Sequence, residues 1–238
     1  MAAPSWKRTV LLTFLLGLPL PAAAQDEAGH EMAALFSMIR AEADYAGKDG
    51  GLLNWEVNGW IGGDTDRLWL RSEGEHRDGD FERAEAQAYY GHNFATFWDG
   101  LVGIRQDFSP GARTWAAASI VGLAPYFFET EASVYLSTKG EPSFRFKQSV
   151  DLLLTQRLIA EPHVEVNAFG RDIPDLNVGA GFSDVEAGLQ LRYEIRRQFA
   201  PYVDLVWSRK LGETSSLVRA AGEEPEETTL RFGIRSWF

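Results

Sequence analysis

Carboxylates and imidazoles recur in this chain at spacings that could place them on one face of an extended segment. Alternate side chains share a face in a β-strand, so residues two apart can act together. Imidazole nitrogen and carboxylate oxygen are suitable ligands for a transition metal ion, and thioether sulfur prefers Cu(I). The candidate metal ligands are His30, Met32, Glu73, Glu75, His76, Glu129, Glu131, His163 and Glu165. Among them, His76 needs the adjoining turn to swing it onto the face that Glu73 and Glu75 share.

A second interpretation of the same carboxylates is structural, because basic residues are available to pair with them. An ionic network inside a wet interior would use both charges without binding a metal. The chain has four histidines and no cysteine, and no His-x-His or His-x₃-His pattern supports a metal site. The basic residues that could take part are Arg67, Arg71, Arg105, Arg113, Arg145, Arg157, Arg192 and Arg196.

Catalysis has little support in the sequence. Asp78 and Asp80 share a turn with His76, but no nucleophile with an obvious base accompanies them. The glycine-rich stretches at residues 100–103 and 179–181 lack the G-x-S-x-G pattern of a nucleophile elbow. We therefore expect no enzyme and assign no catalytic residue.

The elements that would position these groups are short strands. About twelve extended segments, each near the length that a tilted membrane strand needs, follow one another without a helical period or a domain linker. We expect tight turns at residues 62–66, 94–96 and 124–125, and longer polar loops at 76–80, 170–181 and 211–227. The predicted strands are 38–46, 51–62, 66–76, 81–92, 97–108, 112–124, 126–138, 142–154, 157–169, 182–195, 201–210 and 228–238.

The last strand indicates where the sheet lies. Leu230, Phe232 and Ile234 alternate with Arg231 and Arg235, and the chain stops on the aromatic Phe238. A terminal aromatic after an apolar alternation is typical of bacterial outer-membrane proteins, whose last strand must close on the first. A buried terminal strand of a soluble β-domain is the alternative. The sequence thus predicts an all-β, transmembrane, antiparallel up-and-down β-barrel of about 12 strands, with both termini in the periplasm.

The start of the chain points to export. Residues 1–24 have a short basic region at Lys7 and Arg8, an apolar stretch too short to span a bilayer, and a small-residue end. We expect a cleaved signal peptide at 1–24, a short flexible acidic tail at 25–37 and an outer-membrane β-barrel at 38–238. The formal net charge of −11 argues against nucleic acid as a partner. The mean hydropathy of −0.21 is compatible with a barrel, because half of each strand faces water.

Several strand motifs resemble those of the copper resistance protein B family of Gram-negative bacteria. The resemblance covers residues 37–238 and is carried by DRLWLRSEGE at 66–75, FWD at 97–99, GIRQDF at 103–108, RTW at 113–115, GLAPYFFE at 122–129, YLS at 135–137, DLLLTQRLI at 151–159 and LRYEIRRQFAPY at 191–202.

The resemblance implies a barrel of the bacterial outer membrane that takes part in copper tolerance. Copper would be its bound ion, and its partners would be outer-membrane lipid and the periplasmic copper oxidase and copper-binding proteins of a resistance system. Family members commonly carry a long Met- and His-rich segment before the barrel. Residues 26–37 occupy that place here, with a single His30 and a single Met32.

Three functions remain open from the sequence. The first is a copper-handling outer-membrane protein that binds copper ions or assists their export or sequestration. The second is a nonspecific or structural pore without metal specificity. The third, with the least support, is a surface enzyme.

Overall fold

The computed structural model describes residues 35–47 and 51–238, and most of them lie in strands. Within this part of the chain no helix is long and apolar enough to cross a membrane. The strands are β1 (Phe36–Ala46), β2 (Leu52–Gly62), β3 (Asp66–Arg77), β4 (Asp80–Ala95), β5 (Trp98–Ser109), β6 (Arg113–Ala124), β7 (Phe128–Ser137), β8 (Pro142–Ser149), β9 (Leu152–Leu153), β10 (Leu158–Phe169), β11 (Gly181–Tyr193), β12 (Phe199–Lys210) and β13 (Glu226–Trp237).

These strands close into one antiparallel barrel. The long strands pair with their sequence neighbours, and β13 pairs with β1. The two-residue β9 continues β8, because both pair with β10, so the wall contains twelve strands. Backbone hydrogen bonds of 2.9 Å between Ile39 and Phe238, one in each direction, seal the join. The predicted fold class and strand count are confirmed.

The faces of the wall have the polarity that a bilayer requires. On β13 the outward Leu230, Phe232 and Ile234 are 48%, 57% and 48% exposed, whereas Arg231 and Arg235 point inward. Elsewhere buried residues on the inner face include Glu85 and Arg145. A water-soluble barrel would bury the apolar face instead, since apolar burial drives its folding. The alternative of a soluble β-domain is therefore excluded by the side-chain distribution.

Two local predictions were wrong. The connection at residues 76–80 is not a long loop, because β3 runs to Arg77 and β4 begins at Asp80. Asp78 and Gly79, with φ of 54° and 96°, form the turn between them, as expected for an Asp-Gly hairpin turn with two positive φ angles. Residues 212–220 form a helix, α1 (Gly212–Ala220), which has too few turns to produce a clear helical period.

One loop fills part of the barrel interior. We call residues 170–180, between β10 and β11, the inward loop. Its Ile173 is 1% exposed and packs in a cluster with the luminal aromatic residues Trp69, Tyr89, Trp115 and Tyr135. The cluster lines strands β3 to β7, so that side of the lumen is packed with side chains.

Polar contacts fix the inward loop in this position. The Asp175 carboxylate accepts hydrogen bonds from Lys139 Nζ at 3.0 Å and from Arg113 Nη2 at 3.1 Å. The Gly179 backbone N–H donates to Thr214 Oγ1 of α1 at 3.0 Å. Lys139 in the loop between β7 and β8, Arg113 of β6 and α1 therefore hold the inward loop at the end of the barrel opposite to Phe238.

Candidate functional site

A cavity of about 1510 Å³ lies inside the barrel. Its lining contains twenty-two Asp and Glu residues but only thirteen Lys and Arg residues. An excess of one sign of charge in a cavity with low-dielectric walls raises the local concentration of ions of the other sign. The lumen should therefore attract cations.

Much of this negative charge is arranged in one row across the wall. The members pair directly in register between adjacent strands, from β1 to β5, and all face the cavity. We call them the acidic row; they are Glu42, Glu56, Glu73, Glu85 and Asp107. Like charges opposite each other on neighbouring strands are destabilising, so the row requires basic partners from elsewhere.

Some basic partners of the row lie on its own or adjacent strands, such as Arg83 and Arg105, and two reach it from β8 across the lumen. Arg145 of β8 donates to both carboxylate oxygens of Glu85 on β4, at 2.9 and 3.2 Å. Lys147 of β8 lies 2.9 Å from Glu73 on β3. Three strands, β5 to β7, separate β8 from β4 along the wall, so these ion pairs span the interior. The lumen is thus crossed by charged side chains.

The structure places the carboxylates from the sequence-based candidate set in separate ion pairs. Glu165 lies 3.5 Å from both Arg145 and Lys147, in the same cluster as Glu73. The others each meet a different arginine: Glu75 with Arg77 at 3.2 Å, Glu129 with Arg40 at 3.7 Å and Glu131 with Arg71 at 2.6 Å. In the described ranges, no three His, Cys, Asp or Glu side chains come together as a metal-binding group. These pairs fit the ionic network foreseen as the alternative.

The four histidines have different surroundings. His163 lines the cavity, with Nε2 3.8 Å from Asp204 Oδ2. His76 does not line the cavity; its ring packs edge-on against Phe81, with 5.0 Å between ring centroids. His92 is exposed and contacts Asp66. His30, like Met32, lies outside the described residues.

Sequence reasoning missed several luminal groups. Glu42, Glu56 and Glu85 of the acidic row were not candidates, although each faces inward and two of them stand directly beside Glu73. Strand alternation shows that these residues face inward, but only the pairing register shows that they are adjacent, and a single sequence does not specify the register. Asp204 was also missed as the neighbour of His163, because the two lie on different strands separated by β11.

Comparison with known proteins identifies the group to which this chain is related. A family model described as copper resistance protein B precursor matches residues 33–238. Copper resistance protein B of Escherichia coli is 43% identical over 216 residues, covering 90% of this chain and 73% of that protein. The copper resistance protein B homolog of Pseudomonas syringae pv. tomato is 46% identical over 191 residues, covering 80% of this chain and 65% of the homolog.

Solved structures support the fold independently. A NanC porin structure aligns with 83% of this chain and 98% of its own, at a TM-score of 0.57 and 12% identity. A KdgM porin aligns with 84% of this chain and 99% of its own, at a TM-score of 0.50 and 10% identity. At these identities the likeness concerns the fold alone. Together with the apolar outer face, it shows a barrel of the bacterial outer membrane in contact with lipid, and the sequence matches show that the chain belongs to the copper resistance protein B family.

Proposed function

We propose that this barrel supports copper tolerance by holding or passing copper ions inside its lumen. The observation that supports the proposal most directly is the excess of acidic over basic residues along the cavity wall. Family membership points to copper as the relevant cation, and the negative lumen provides a physical reason for a cation to enter. The role is one of binding or passage, without a catalytic step.

The proposed contacts are the candidate residues that line the cavity: Glu73, Glu75, Glu129, Glu131, His163 and Glu165. Each of these carboxylates already has an arginine or lysine within 4 Å. A metal ion would therefore compete with a protein cation at each step, which favours weak and exchangeable binding. This supports handling of ions in transit better than tight storage.

A pore without metal specificity remains the second candidate, because the porins share the fold. The cross-lumen pairs of Arg145 and the packed inward loop support it less well, since both narrow the interior. His30 and Met32 in the predicted tail remain proposed accessory ligands. The proposed partners, periplasmic copper oxidase and copper-binding proteins, would meet the end of the barrel at which Phe238 lies.

Copper tolerance of a deletion strain tests the proposal. The strain is complemented with the double variants Glu73→Gln/Glu75→Gln and Glu129→Gln/Glu131→Gln, and barrel abundance is checked by heat-modifiable migration on gels. Glu213→Gln is the matched control, because Glu213 is an exposed carboxylate on α1 outside the cavity. We expect lower tolerance for the luminal variants at equal abundance. Full tolerance in both would refute a luminal role for these carboxylates.

A further inference from the structure

Three neighbouring strands bring an imidazole, an amide and a carboxylate together on the inner wall, away from the acidic row. His163 on β10 pairs in register with Gly188 on β11, and Gln190, two residues further on, pairs with Asp204 on β12. All three side chains line the cavity. His163 Nε2 lies 3.8 Å from Asp204 Oδ2, which is too far for a direct hydrogen bond.

One carboxylate oxygen and the amide oxygen of this group are buried without donors. Asp204 is 6% exposed and Gln190 is 5% exposed. In the part of the chain that the structure describes, neither Asp204 Oδ1 nor Gln190 Oε1 accepts a hydrogen bond. Leaving a buried acceptor unsatisfied is costly, and more so for a charged one. The two oxygens belong to residues paired in register on adjacent strands, and an imidazole nitrogen lies 3.8 Å from the same carboxylate, so the group offers ligands for a cation.

Gly188 provides the space that this arrangement needs. A Cβ atom at Gly188 would lie 2.4 Å from both Cε1 and Nε2 of His163, and 3.2 Å from Asp204 Oδ1. The edge of the imidazole therefore occupies the position over the glycine and faces the carboxylate on the next strand. Any larger residue would displace the ring.

The surrounding charges leave the Asp204 carboxylate available. Arg231 stands opposite Asp204 on β13, but its Nη2 lies 3.5 Å from Glu186. On β1, beyond β13, Asp44 accepts hydrogen bonds from Asn54 at 2.8 Å and from Tyr202 at 3.0 Å. The side chain of His163 is 24% exposed, so an ion in the cavity can reach it.

We propose that His163 Nε2, the Asp204 carboxylate and Gln190 Oε1 form a binding site for a divalent first-row transition metal ion. Nitrogen and oxygen ligands favour Cu(II), which heads the affinity order for such ions, whereas Cu(I) prefers sulfur. The site deepens the proposed function and rests on it for the choice of copper. It differs from the exchangeable carboxylates of the proposed function because, among the residues that the structure describes, no Arg or Lys nitrogen lies within 4 Å of the Asp204 carboxylate.

Direct metal binding to the full-length protein tests the site. The barrel is purified in detergent without a histidine tag, from a His30→Ala/His76→Ala/His92→Ala background in which His163 is the remaining histidine. Cu(II) is titrated, and electron paramagnetic resonance reports the ligand nitrogens. We expect one Cu(II) per chain with the hyperfine pattern of one imidazole nitrogen. We also expect His163→Ala to remove that pattern and Asp204→Asn to weaken binding at least about tenfold.

Matched variants separate the site from general effects. Asp64→Asn, in an exposed turn, should leave the affinity unchanged. Gly188→Ala keeps every ligand but displaces the His163 ring and should weaken binding, whereas Gly63→Ala, where a Cβ meets no atom within 4 Å, should not. Unchanged binding in either His163→Ala or Asp204→Asn overturns the site. If Cu(II) binds as expected but the variants of the luminal glutamates retain full copper tolerance, the site is supported and the proposed function is refuted.

Discussion

Replacement of Arg145 with glutamine should destabilise the barrel by about 3 kcal/mol. Arg145 is 5% exposed, contacts both oxygens of Glu85 and lies 3.5 Å from Glu73. Removal of one partner from a buried ion pair costs about 3–5 kcal/mol, because the other charge stays buried and uncompensated. We take the lower end because Arg105 remains 2.9 Å from Glu85, and Lys147 remains 2.9 Å from Glu73.

The assay is urea unfolding of the barrel refolded into lipid vesicles, followed by tryptophan fluorescence and by heat-modifiable migration. Arg219→Gln is the matched control, because Arg219 is exposed on α1. The double variant Arg145→Gln/Glu85→Gln should recover part of the loss, since it removes the stranded carboxylate as well. A loss below about 1 kcal/mol for Arg145→Gln would mean that these pairs behave as exposed surface pairs, and the reasoning would be refuted.

Three further predictions concern other parts of the chain. The hydrogen bond from Lys139 lowers the pKa of Asp175. The Asp175 carboxylate is therefore ionised, and the contact holds the inward loop, at every pH above the ordinary carboxyl pKa of about 4. The contact is lost as the pH falls through the lowered value; conductance in planar bilayers should then rise, and Asp175→Asn should raise it at neutral pH. Deletion of Phe238, whose backbone hydrogen-bonds to Ile39, should impair assembly of the barrel without abolishing export. A normal amount of heat-modifiable barrel in the membrane fraction would contradict this. A peptide of residues 25–37 should bind copper weakly in a titration under reducing conditions. Tight binding of several ions would contradict this prediction and assign copper capture to the tail.

The wall of the barrel could be predicted because its signal is local. Side chains alternate between the two faces of a strand, so lipid on one side and water on the other produce an alternation that each segment displays by itself. The segment at 228–238 is the clearest case, and β13 at Glu226–Trp237 follows it closely. The helix α1 and the inward loop had no such signal, since both are short segments held by contacts with distant residues.

The candidate site was predicted only in part, for a related reason. Period-two spacing correctly placed Glu73 with Glu75, and His163 with Glu165, on the cavity side. It did not show that Glu165 would meet Arg145 and Lys147 while His163 would face Asp204. Two residues that are neighbours on one strand can therefore belong to different clusters, because the partners of each side chain lie on other strands.

The sequence alone predicted a membrane barrel, through strand length and alternation, and the exposed apolar face of the folded wall then excluded a soluble β-domain. The sequence also determined the acidic balance of the chain and the kinship with copper resistance proteins. Only the tertiary structure decided which charges meet: the register aligns Glu73 with Glu85, and closure of the wall brings Arg145 across the lumen to them. The physical reason is that alternation depends on each residue's own strand, whereas ion pairs and ligand sets depend on register and closure, which join residues far apart in the chain.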